Sequence, residues 1–159
     1  ASTPIVEGEL AAFAHTWLDT LFNQKQFAKV HEFYSLTATQ QWPSGRMANG
    51  LAQINGVFIQ FFATCPDAKL TIDHIAITPF DETTTDVALR WSLAGHFNPQ
   101  NSELSELKQQ PYFILGASHL RIKNKKIIEE ITVFDEVALY ANLFKAHALV
   151  NKAQREENA

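Results

Sequence analysis

A chain of 159 residues with 46% apolar and 19% charged residues is the size of one ordinary domain and carries enough apolar side chains for a real core, which excludes extended disorder. The formal net charge of −4, with basic residues scattered along the chain, argues against a nucleic-acid surface. The single cysteine, Cys65, excludes an intrachain disulfide and a cysteine-rich metal site, and no apolar run approaches the roughly 20 residues needed to span a bilayer.

In chain order, residues 5–22 place Val6, Leu10, Phe13, Trp17, Leu18, Leu21 and Phe22 at three- and four-residue spacing, the apolar stripe of an amphipathic helix. A short helix is predicted over 27–34, with Val30 and Phe33 inward and His31 on or beside the same face. Residues 35–49 contain Pro43 and Gly45 and read as a loop with a brief extended piece at Gln41-Trp42. A third helix follows from Gly50 to about Ala63, carrying Leu51, Ile54, Val57, Phe58 and Phe61, and is ended by Pro66-Asp67.

The apolar period then changes from helical to two. Leu70, Ile72, Ile75 and Ile77 mark one strand and residues 87–97 a second; 112–122 and 126–135 form a hairpin through Lys123-Asn124-Lys125. The irregular stretch 98–110 is expected to overhang one end of the sheet, and a last helix is predicted over 136–152, with Leu139, Leu143, Phe144, Ala148 and Leu149 on its apolar face. Helices first and long strands afterwards describe one α+β domain over 1–159, its core about 5–152, without repeats or linkers. The chain begins at Ala1 without methionine, which is compatible with a removed leader or tag; the compartment stays open, with the cytoplasm as default.

Several of these features together resemble a known family. Trp42-Pro43, the helix from Gly50 to Cys65-Pro66-Asp67, the strand Arg90-Trp91-Ser92-Leu93-Ala94-Gly95-His96 and the hairpin Arg121-Ile122-Lys123-Asn124-Lys125-Lys126-Ile127-Ile128-Glu129, followed by Asp135, are similar in order and spacing to SnoaL-like domains of the nuclear-transport-factor-2-like superfamily. The resemblance runs from about His31 to Phe144 and departs from the pattern in three places: no glycine in the hairpin turn, Ile131 where a tryptophan is common, and a longer 98–110 segment. It implies a cone-shaped, curved antiparallel sheet wrapped around the N-terminal helices, an apolar pocket inside and, often, a homodimer. Members of the family include polyketide cyclases that close a ring by an intramolecular aldol step without metal or cofactor, and related branches hold isomerases, dehydratases, epoxide hydrolases and non-catalytic domains. Fold analogy does not choose among them.

Asp135 ends a set with Ile127, Ile131 and Val133 whose alternation is expected to face the apolar interior, where a desolvated carboxylate suits proton transfer α to a carbonyl. The same Asp135, just before Glu136-Val137-Ala138-Leu139, also suits a helix N-cap. The hairpin register decides its partners. A two-residue turn pairs Ile127 with Ile122 and sends His119 and Arg121 away from Asp135; a three-residue turn pairs Ile127 with Arg121 and gathers Arg121, His119, Glu129 and Asp135 on one face. The three-residue form is favoured, because a type I′ turn needs positive φ at both central residues and Lys125 resists it. His119 would then shuttle a proton and Arg121 would stabilise an enolate oxygen; the bland alternative pairs them with Glu129 or Glu130 on the surface.

His96 at a strand end and His31 with Tyr34 are candidates for the pocket rim, and Trp42, Trp91 and Tyr112 for an aromatic wall around a flat, small apolar ligand, although such side chains also serve as core. The six histidines, His74 among them, show no HxH or HExxH spacing and no glycine-rich phosphate loop is present, so neither metal nor nucleotide cofactor is expected. A non-catalytic binding or assembly domain of the same fold is the competing reading. Ile128 and Phe134 are expected on the outer face of the sheet, where a second copy would cover them.

Overall fold

The computed structural model describes residues 3–96, 111–138, 141, 152 and 155–159, with side chains from residue 8 onward and Thr64 excepted. The predicted loop 98–110, and from the last helix Leu139, Leu143, Phe144, Ala148 and Leu149, lie outside the described residues; helix is present at 136–138, 141, 152 and 155–157.

Helix α1 (Thr3–Leu18) continues into a π-helical turn, Asp19–Asn23, and a 3₁₀ turn (Phe27–Lys29) leads into the short α2 (Val30–Phe33). Strands β1 (Tyr34–Trp42) and β2 (Arg46–Asn49) precede α3 (Leu51–Thr64), and then come β3 (Lys69–Pro79), β4 (Thr84–His96), β5 (Pro111–Lys123) and β6 (Lys126–Phe134). The six strands form one curved, unclosed sheet in the order β2-β1-β6-β5-β4-β3, with the helices against its inner face. All neighbours are antiparallel except β1 and β6, which run parallel, so the sheet is mixed where an antiparallel one was expected.

The segment expected to be a loop, 35–49, is instead the β1–β2 hairpin. Its polar run, Thr37-Ala38-Thr39-Gln40-Gln41, hides the alternation because the inward side chains include a buried Gln40 beside Ala38 and Trp42. The turn between the strands places Ser44 and Gly45 at φ 65° and 70°. Gly50 opens α3 at φ 79°, a conformation that suits glycine alone, and its N–H donates to the Ala38 carbonyl at 2.8 Å. At the free edge of β3, the Asn23 amide accepts from Leu70 N–H at 2.8 Å and donates to the Leu70 carbonyl at 3.0 Å, closing that peptide as a strand would.

The core lies between α1, α3 and the inner sheet face. Leu51, Ile54, Phe58, Phe61 and Phe62 repeat at helical spacing and turn α3 inward, while Leu89, Trp91, Leu93 and Leu120 alternate on the strands. Phe22, delivered by the π-helical turn, packs edge-on against Trp17, Phe58 and Phe62 with centroids 5.1, 5.2 and 5.7 Å away. Such pairs add roughly 0.5–1.5 kcal/mol each beyond burial. Cys65 is buried, and burial pushes its thiol pKa up.

The β5–β6 hairpin corrects the expected register. Lys123 pairs with Lys126 and Ile122 with Ile127, so the turn has two residues, and both Asn124 (φ 51°) and Lys125 (φ 59°) are left-handed. A type I′ turn matches the strand twist, and that gain outweighs the strain of about 1–2 kcal/mol at Lys125. A bulge follows immediately: Arg121 pairs with Glu129, leaving Ile128 unpaired and reversing the parity of every later residue of β6. Ile127 therefore faces the core at 0% exposure, but Ile131 and Val133 face outward at 38% and 57%, and Glu130, Thr132 and Phe134 turn inward. Of the two residues expected on the outer face, Phe134 is inside and packs on Trp42 and Phe61.

Candidate functional site

The parity reversal carries a carboxylate into the core. Glu130 is 0% exposed and its hydrogen-bond donors among the described residues are all neutral side chains. Oε1 accepts from the Tyr34 hydroxyl and from Gln40 Nε2 at 3.0 Å; Oε2 accepts from Trp42 Nε1 at 2.7 Å and the Thr132 hydroxyl at 2.6 Å. No ion pair to Glu130 is found among the described residues.

The strands explain the convergence. Tyr34, Gln40 and Trp42 are all on β1, which lies beside β6 with Gln40 opposite Glu130, and their side chains point inward. Thr132 follows Glu130 by two residues on the same face, opposite Ser118 of β5.

Hydrogen counting fixes the direction of the surrounding bonds. Thr132 has one hydroxyl hydrogen, which goes to Glu130, so its 2.7 Å contact with Ser118 runs from Ser118 to Thr132. Trp91 Nε1 in turn donates to Ser118 at 3.0 Å, and Trp17 Nε1 donates to the Tyr34 oxygen at 3.0 Å. Two chains, Trp91→Ser118→Thr132 and Trp17→Tyr34, thus end on one carboxylate. Burial first, and the neighbouring Glu130 second, push the Tyr34 pKa well above the usual tyrosine value, so the phenol stays a donor. Gly116 makes room for this arrangement: a Cβ there would stand 2.3 Å from the Trp91 ring.

The residues singled out from sequence divide into three groups. Tyr34 and Trp42 bond Glu130 directly, and Trp91 reaches it through Ser118 and Thr132. Asp135, expected to face the interior, is exposed instead; β6 has ended at Phe134, and Asp135 Oδ1 accepts from the Ala138 N–H at 2.8 Å, an N-cap bond. His119 and Arg121 are together but on the outer face, against Asp86 rather than Asp135. Arg121 donates to both Asp86 oxygens at 2.8 and 3.1 Å, His119 Nε2 lies 3.3 Å from Asp86, and the guanidinium covers the Phe80 ring at 3.5 Å. The Arg121 hydrogen bond is the main reason the Asp86 carboxyl is held below its usual pKa.

The third group is scattered. His31 is exposed on α2, its Nδ1 2.9 Å from the Ala28 carbonyl. His96 pairs with Asp67 at the far end of β4, with Nδ1–Oδ2 2.9 Å and the His96 N–H on Oδ1 at 2.9 Å. Tyr112 is buried beside Gly95 at that same end, away from Glu130. Gln40, Ser118, Glu130 and Thr132 were not legible as a group. The available signal was the doubled pattern Ile127-Ile128-Glu129-Glu130, in which strict alternation fails as it does at a bulge.

A family model, SnoaL-like polyketide cyclase, matches residues 12–143. No curated protein matches the chain. Among solved structures, AclR of Streptomyces galilaeus, a candidate hydroxylase, superposes with a TM-score of 0.69 at 17% identity over 87% of this chain and 97% of that one. IdmH of Streptomyces antibioticus, a candidate polyketide cyclase, gives 0.67 at 21% over 79% and 92%. A hypothetical protein of Catenulispora acidiphila with a ketosteroid isomerase-like fold, solved with trimethylamine, gives 0.59 at 16% over 76% and 82%. At these identities the likeness of structure shows the fold alone, and no described helix is long and apolar enough to cross a membrane. The match over 12–143 does more: the chain belongs to the SnoaL-like polyketide cyclase family.

Proposed function

We propose that the protein is a cofactor-independent proton-transfer enzyme of the cyclase or isomerase type, acting on a small apolar carbonyl compound inside the cone, with Glu130 as its acid/base. One observation carries this reading: a carboxylate at 0% exposure, held among the described residues by neutral donors alone. Removing a carboxylate from water costs several kcal/mol, and a well-packed apolar side chain would serve the fold as well or better. Its donor Trp42 packs against Phe61 and Phe134, so the carboxylate stands in aromatic surroundings closed to water. Glu130 takes a proton from the carbon α to the carbonyl; the C–H electron pair forms the C=C bond as the C=O π pair moves onto oxygen to give an enolate, and the proton is later returned to carbon or oxygen. Tyr34, Trp42 and Thr132 hold the carboxylate in place.

The test is deuterium exchange from D₂O into the α-position of indanone or tetralone, followed by mass spectrometry. The wild-type protein accelerates exchange and Glu130→Gln loses about 100-fold or more of that acceleration. Equal exchange by both proteins, or none by the wild type, overturns the reading.

A second reading, a non-catalytic binding or assembly domain, is favoured by the fact that both Glu130 oxygens are already doubly donated to without a ligand. Either reading accommodates a homodimer through the outer sheet face, which exposes Met47 (64%), Phe113 (64%), Leu115 (60%) and Val133 (57%). Leu115→Glu is expected to turn a dimer into a monomer in light scattering; a wild-type monomer at high micromolar concentration contradicts this.

A further inference from the structure

The Glu130 network contains one group that its neighbours leave unmatched. Gln40 is 1% exposed, its Nε2 donates to Glu130, and its Oε1 has no hydrogen-bond partner among the described residues. The orientation is forced: turning the amide over would set its oxygen against a carboxylate oxygen. A buried acceptor without a donor costs about 1–3 kcal/mol, and natural cores avoid leaving one.

Protonation of Glu130 reverses the demand. Each of its neighbours already points a hydrogen at the carboxylate, and a carboxylic acid brings one more. Trp42 has no lone pair to offer. The oxygens of Tyr34 and Thr132 already accept from Trp17 and Ser118, and either could take a second bond only by turning its own hydrogen away. Among the described neighbours of Glu130, Gln40 is the one whose acceptor meets no donor, and rotating its terminal amide brings Oε1 to the acid hydrogen without turning another hydrogen away. The same rotation puts the amide N–H groups where the unmatched oxygen stood.

We propose that Gln40 is a specificity-determining residue whose amide orientation follows the protonation of Glu130. With Glu130 a carboxylate, Gln40 offers an acceptor and selects a ligand bearing an O–H or N–H donor. With Glu130 protonated, it offers a donor and selects a carbonyl or enolate oxygen. This rests on the reading of Glu130 as the acid/base, and it adds a ligand requirement and a residue that reading does not contain. In the reaction, the amide turns to face the enolate oxygen as Glu130 takes up the α-proton.

Three probes of one shape test it: naphthalene, naphthol as the donor and methyl naphthyl ketone as the acceptor, titrated calorimetrically at neutral pH. The wild-type protein binds naphthol about tenfold more tightly than naphthalene, the worth of one buried hydrogen bond. Gln40→Met, which fills the space without the amide, brings the two within about twofold, and Glu130→Gln, a neutral mimic of the acid, moves the preference to the ketone. The wild-type comparison needs no variant, so a poorly folded Gln40→Met does not leave the matter open. Equal binding of all three probes by the wild type overturns the role of Gln40 while leaving Glu130 untouched, since deuterium exchange reads Glu130 separately. Binding of none overturns both. A naphthol preference that persists in folded Gln40→Met assigns the donor's partner elsewhere and also overturns it.

Discussion

Replacing Tyr34 by Phe removes one oxygen from the network and little else, because the ring keeps its place between Phe58 and the sheet. The lost oxygen serves two buried groups: it accepts from Trp17 Nε1 at 3.0 Å and donates to Glu130 Oε1. Trp17 and Glu130 are both at 0% exposure, so water does not replace it freely. An orphaned indole N–H costs about 1–3 kcal/mol and a lost bond to a carboxylate about 1.5–3 kcal/mol, together about 2.5–6 kcal/mol. That is a large part of the roughly 5–15 kcal/mol that holds a domain folded. With a urea slope of about 2 kcal/mol per molar, the unfolding midpoint falls by about 1.2–3 M.

The alkaline limb gives an independent check on the same residue. Because burial raises the folded-state pKa of Tyr34 above its ordinary 10.0, the folded protein keeps a proton that the unfolded chain releases above that pH. The stabilisation is complete below 10.0 and is lost as pH rises toward the folded value, at about 1.4 kcal/mol per pH unit. Tyr112, also raised by burial, contributes in the same sense to both proteins. The gap in stability between wild type and Tyr34→Phe is therefore expected to narrow above pH 10. A midpoint shift under about 0.5 M, with a gap that does not change with pH, would refute the reasoning.

Two further outcomes are expected from stability measurements. Gly116→Ala drives a methyl to 2.3 Å from the Trp91 ring, tilting the indole off Ser118; the urea midpoint should report a loss of about 1–3 kcal/mol, and no loss would mean the sheet yields there. Asp135→Ala removes an N-cap and should cost about 1 kcal/mol, whereas Asp135→Asn, an equally good cap, should change stability by only a few tenths; equal losses in both would show that the Ala138 bond is not what Asp135 contributes.

The fold was legible because it depends on period. The stripes of α1 and α3 and the alternation of β3, β4 and β5 are long enough that no neighbour overrides them. The β1–β2 hairpin was hidden because its inward side chains include Gln40, a polar residue whose amide N–H is taken up by Glu130, 90 positions away. The inward residues of β6 were misread for one reason: a single unpaired residue, Ile128, exchanges the two faces of the strand from there on. Turn chemistry at Asn124-Lys125 governs the register only as far as that bulge, and periodicity read beyond it assigned Ile131 and Val133 to the core in place of Glu130 and Thr132. Trp42 and Trp91, read as wall or core, and Tyr34, read as rim, are all buried, because large rings at inward positions stay inward whatever they surround.

The most direct test of the central claim sets two carboxylates side by side in one assay. Deuterium exchange into indanone is measured for Glu130→Gln and Asp135→Asn against the wild type, with folding of each verified by circular dichroism. The account predicts that Glu130→Gln loses about 100-fold or more of the acceleration while Asp135→Asn keeps it. Loss in Asp135→Asn with Glu130→Gln unchanged would contradict it and move the chemistry out of the buried network to the exposed cap.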